Sequence, residues 1–152
     1  MHRAEDRIIV ELRNTFGPNS VEIFNGGISF DVERNMRTFG VADVIVGPHG
    51  AGLANMLMCK RKTSIIMLTT CDDRGCPSSS DSYFGYLAKS LDMNIVGVQS
   101  GPHSSFFGNY TLDDGDGRIE QIDGIVDAVE NALIEQGIWG APNVEKKKKV
   151  DL

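Results

Sequence analysis

At 152 residues and 41% hydrophobic composition, the chain suits one domain with a genuine buried core, and nothing in it suggests wholesale disorder. Its formal net charge of −6 argues against non-specific nucleic-acid binding, which wants a basic surface. No apolar run reaches the roughly 18 to 20 residues that a membrane span needs, and the start, Met1-His2-Arg3-Ala4-Glu5-Asp6, has no apolar signal core.

Along the chain, Ile8, Ile9, Leu12 and Phe16 predict a helix over 7–16, ended by Gly17-Pro18. A short strand over 21–24 leads to Asn25-Gly26-Gly27, and a helix over 30–39 turns Phe30, Met36 and Phe39 inward. The strand 43–46 runs into a turn with Gly47, Pro48, Gly50 and Gly52, and a helix-forming stretch, 53–59, follows at once. Next come a buried strand, 64–68, and a polar loop, 71–82. The helix 82–91 carries Tyr83, Tyr86, Leu87 and Leu91 along one face, ahead of another strand, 94–98. An irregular Gly-rich stretch, 99–117, precedes a long helix, 119–136, whose Ile122, Ile125, Val126, Val129 and Leu133 recur at helical period. Strands alternating with helices imply an α/β fold, a parallel sheet with helices on both faces. The domain expected is 1–136, with 137–152, including Lys146 to Lys149, a disordered charged tail.

The turn after Val46 is the most informative feature. Glycines between a strand and a helix let a ligand approach the main chain, because no Cβ blocks it. The helix behind such a turn offers free N–H groups and the positive end of its dipole, so a phosphate or pyrophosphate is the natural guest. In an open parallel sheet the ligand lies beyond the carboxyl ends of the strands. That geometry would bring His49, Asn55, Thr69, Thr70, Asp72 and His103 towards one crevice. The plainer alternatives are a turn that is only a turn, a structural histidine, and Tyr83, Phe84 and Tyr86 serving core and rim packing rather than base stacking.

The stretch VADVIVGPHGAGLANMLMCKRKTSIIML, Val41 to Leu68, resembles the C-terminal hallmark of glycosyltransferase family 61, which usually reads like ADVIVGPHGAGL(T/A)N-x-LF-x-PPG-x-VIE. Helix 30–39, with Glu33 and Asn35, looks like the acidic-plus-Gln helix that commonly precedes it. This chain departs from the pattern at Arg61-Lys62, where Pro-Gly is usual, at Met58 for Phe, and at Met67 for an acidic or amide residue. The resemblance implies a Rossmann-like domain, the C-terminal, donor-binding half of a GT-B fold, inactive without its N-terminal domain. His49, Gly50, Ala51, Gly52, Leu53 and Asn55 would then form the site for the diphosphate of a UDP-sugar, with the N–H groups of 50–53 stabilising the leaving nucleotide. His49 could donate to a phosphate oxygen, and Asn55 would brace the turn. The family implies inverting transfer to a protein or glycan hydroxyl, in the Golgi or ER lumen, without a metal or other cofactor.

The remaining motifs carry less. Cys71 and Cys76 bracket a short loop that a disulfide could close, and two thiols so spaced make a poor zinc site. Cys59 reads as an apolar filler. Asn109-Tyr110-Thr111 is a glycosylation sequon of a kind common by chance. Asp114 to Asp123 partly matches an EF-hand loop, but Leu112 and Asp123 stand where its first and twelfth ligands belong, and a solvated turn explains it better. A general base for the acceptor hydroxyl is not evident; Glu33 would be a guess. The alternative to a transferase is a non-enzymatic nucleotide- or glycan-binding module, or a degenerate fragment.

Overall fold

In the computed structural model, residues 4–24, 31–71, 82–102 and 118–140 are described. Helix α1 (Ala4–Phe16) buries Ile8 and Leu12, one turn apart on the same face. Gly17 ends it in the left-handed region (φ 95°), and its N–H reaches the Arg13 carbonyl at 3.0 Å. The strand expected over 21–24 does not form. Val21 lies partly buried against the α1 layer, while Ile23 and Phe24 stay exposed, Phe24 meeting Phe39 edge-on at 4.8 Å.

Helix α2 (Val32–Val41) starts at Asp31, whose carboxylate accepts from the Arg34 N–H at 3.0 Å, an N-cap. Its inward face is Asn35 and Phe39; Met36, expected inward, is 57% exposed, because residues 35 and 39 share the face that meets the core.

Strands β1 (Val44–Pro48), β2 (Ser64–Cys71) and β3 (Asn94–Pro102) form a parallel sheet in that order, with Val46 opposite Ile66 and Ile66 opposite Val96. Side-chain alternation along β2 sorts the core into two layers. Ile66 faces α1 and helix α4 (Arg118–Glu135), packing with Ile8, Leu12, Ile125 and Val129. On the opposite face Ile65 and Met67 pack with Leu53 and Met56, and with Phe84 and Ala88 of helix α3 (Tyr83–Ser90). The α/β sheet with helices on both faces is therefore as the sequence predicted.

On α3 the inward stripe is Phe84, Leu87, Ala88 and Leu91, while Tyr83 and Tyr86, expected on the packed face, are exposed. The described chain continues past α4 through a Schellman turn. Gly137 (φ 71°) and Ile138 donate to the Ile134 and Leu133 carbonyls, both at 2.9 Å, and Trp139 meets Phe16 edge-on at 5.2 Å. Gln136 ties this end to the sheet, its side-chain amide donating to the Asp43 carbonyl (3.1 Å) and the Ser64 hydroxyl (3.0 Å).

Candidate functional site

The glycine turn leaves the carboxyl end of β1. The His49 N–H donates to the Leu68 carbonyl at 2.9 Å, which extends the pairing with β2 by one residue and fixes where the turn begins. Gly50 is extended (φ 169°), and the next eight residues, Ala51–Met58, form a 3-10 helix where a helix over 53–59 was expected. Two bonds favour the tighter winding. Leu53 donates its N–H to the Gly50 carbonyl at 3.0 Å, and the Asn55 side-chain amide donates to the Gly52 carbonyl at 2.9 Å, taking up an acceptor that an α-helical ladder would use.

These bonds sort the residues of the turn. The N–H groups of Ala51 and Gly52 precede the first bond of the helix, from the Leu53 N–H to the Gly50 carbonyl. Leu53 is 4% exposed and belongs to the core, with its N–H engaged within the turn. Asn55 braces the turn through Gly52. His49 is exposed, its ring edge-on to the buried Phe84 at 5.2 Å. Phe84, expected with Tyr83 and Tyr86 in core and rim packing, supports that ring, and of the three it alone is buried.

Gly50 and Gly52 are unusual in what does not require them. A Cβ on either would meet no described atom within 4 Å, and an extended φ such as that of Gly50 is open to any residue. Neither packing among the described residues nor backbone conformation calls for glycine at 50. A glycine costs roughly 0.5–1 kcal/mol against alanine within regular structure.

Other expected members of the crevice stand elsewhere. Thr69 is 3% exposed inside β2, its hydroxyl 3.5 Å from the Val98 carbonyl, so it belongs to the sheet interior. Thr70 lies in β2, which runs on to Cys71. Asp72, Cys76, His103, Asn109 and the Asp114–Asp123 motif up to Gly117 lie outside the described residues. Met67 is fully buried against Leu53, Met56 and Phe84, so the side chain at that position serves packing between the sheet and its helices. Cys59 is half-buried, and burial pushes its thiol up to about 11. Glu33 pairs with Arg37 on the exposed side of α2, away from the buried Asn35.

A separate hollow of about 480 Å3 opens between β3 and α4, floored by Val96, Val98 and Ala128 and rimmed by Asp127, Asn131 and Glu135. Its carboxylates would repel a diphosphate, whereas the glycine turn presents N–H groups and a histidine. Among the described residues no group of three or more His, Cys, Asp or Glu is arranged to hold a metal ion, and no helix is long and apolar enough to cross a membrane.

Parallel strands covered on both faces, with a glycine turn opening at their carboxyl ends, define a Rossmann-like α/β domain. Residues 2–66, from the first helix through the turn into β2 and less than half of the chain, match the family model of Glycosyltransferase 61. The match supports glycosyltransferase function in general, which goes with a sugar donor and an acceptor. No single curated protein matches the chain.

Proposed function

We propose that this chain is the donor-binding part of a glycosyltransferase and that the turn His49 to Gly52 holds the diphosphate of a UDP-sugar. The observation that carries this reading is the pair of glycines, Gly50 and Gly52, whose missing Cβ atoms border open space beside N–H groups at the start of a helix. The N–H groups of Ala51 and Gly52 donate to phosphate oxygens, and His49 adds a side-chain donor at the rim. As the glycosidic bond to the donor breaks, negative charge grows on the leaving diphosphate, and fixed donors stabilise it most at that moment. The sugar passes with inversion to a hydroxyl of a protein or glycan. The base that takes the hydroxyl proton comes from an N-terminal domain of a two-domain GT-B enzyme, which acts in the lumen of the secretory pathway. The donor is a substrate, and the reading invokes no metal or other cofactor.

The test is calorimetric titration of the folded chain with UDP and UDP-sugars, repeated on His49→Ala and Gly50→Val. Because a side chain at 50 meets no described atom, Gly50→Val should fold with an unchanged melting temperature yet lose micromolar UDP binding. His49→Ala should weaken it. A folded wild-type chain that binds neither UDP nor any UDP-sugar would sink the donor-site reading and favour a degenerate module.

A further inference from the structure

Tyr83 and Tyr86 are 80% and 63% exposed, although a tyrosine ring offers about 150–250 Å2 of surface that packing could bury. Their location gives the exposure meaning. Tyr83 lies edge-on to Phe84 at 5.8 Å, and Phe84 lies edge-on to His49 at 5.2 Å. Three rings thus run from the mouth of the glycine turn to the first turn of α3. Phe84, the middle one, is 7% exposed and packed against Leu53, Met56 and Met67, so the spacing between the outer two is set by the core. Residues 83 and 86, three apart on a helix, are surface neighbours, and the two phenols make one aromatic patch.

We propose that Tyr83, with Tyr86 beside it, is the stacking surface for the nucleobase of the nucleotide whose diphosphate sits on the glycine turn. The inference rests on the donor reading of that turn and adds to it the place of the base. Every nucleobase has a π-face, so an exposed ring binds it without reading its edge. The patch is joined to the anion-binding turn through His49 and Phe84, which is the continuity a ligand with a charged end and a flat end requires.

The experiment is calorimetric titration of UDP, UDP-sugar and inorganic pyrophosphate into the wild-type chain, Tyr83→Ala, Tyr83→Phe and Gly50→Val. Tyr83→Ala should weaken UDP about five- to a hundredfold and leave pyrophosphate unchanged, while Tyr83→Phe should keep UDP affinity. Exposure of Tyr83 means the alanine variant keeps its core, which an unchanged melting temperature checks. Unchanged UDP affinity in Tyr83→Ala, with Gly50→Val still abolishing it, would overturn the stacking role and leave the diphosphate site standing. A loss confined to UDP-sugar, with UDP itself unaffected, would put the ring under the sugar and overturn the base assignment. Failure of the wild-type chain to bind either UDP or pyrophosphate would remove the turn as a site, and the stacking role with it.

Discussion

Lys62 has φ 69°, a left-handed conformation that costs a side-chain-bearing residue about 1–2 kcal/mol. It sits in the turn where the family pattern has Pro-Gly, and its N–H donates to the Asp92 carbonyl at 3.3 Å, which holds it there. Glycine would relieve the strain but lose about 0.5–1 kcal/mol to the greater freedom of the unfolded chain. Lys62→Gly should therefore stabilise the protein by up to about 1 kcal/mol, read as a higher melting temperature. Asp92, at φ 57°, gains less from the same change, because aspartate tolerates this region better than lysine does. Cys59 yields a second prediction. Its thiol titrates at about 11 in the fold against an ordinary 9.0, because burial disfavours the thiolate. Alkylation of Cys59 in the native protein at neutral pH should lag that in the unfolded chain, as peptide mapping by mass spectrometry would show. The sign for stability follows. As pH rises from 9.0 towards 11 the unfolded chain loses this proton first, so stability falls across that window, and Cys59→Ala should fall less.

At the scale of the element, helix caps decide how firmly the site's supports are held. Ser82 caps α3, its hydroxyl accepting from the Gly85 N–H at 3.0 Å. Ser82→Ala should cost about 1 kcal/mol in chemical denaturation and Ser82→Gly only a few tenths, since α3 carries both the Phe84 anchor and Tyr83. The elements also show what the sequence made legible. The three strands were legible in place, because buried parallel strands are nearly continuous apolar runs such as Val44 to Val46 and Ile65 to Leu68. Strands β2 and β3 nevertheless run on to Cys71 and Pro102, into stretches expected to be irregular. Residues 21–24 carry three apolar side chains, yet Val21 packs against the helix layer and Phe24 against Phe39 at the surface without entering the sheet, which composition alone does not distinguish. The face of α3 was misjudged because tyrosine counted as apolar, while Ala88, small but fully buried, carries little weight in a periodicity count. The glycine turn was legible in position. The engagement of the Leu53 N–H was not, because it depends on Gly50 being extended and on the 3-10 winding that Asn55 supports.

For the whole molecule the consequence lies in β2, the central strand, which faces both layers through adjacent, fully buried residues. Ile65 and Ile66 are each fully buried, one towards the 3-10 helix and α3, the other towards α1 and α4. Removing one methyl from either leaves a small void and should cost about 0.5–1.5 kcal/mol. The two side chains share no packing partner across the sheet, so Ile65→Val and Ile66→Val should combine additively to within about 0.5 kcal/mol. Both should move the same transition, because unfolding either layer strips one face of β2 and exposes the backbone pairing that the other layer needs. Denaturant melts followed by Trp139 fluorescence, which reports on the α1–α4 layer through its contact with Phe16, and by far-ultraviolet circular dichroism should coincide in both variants. Separate midpoints would mean that the layer bearing the glycine turn and its tyrosines can open while the other stays folded. The turn would then be a locally unstable element and not a preorganised one.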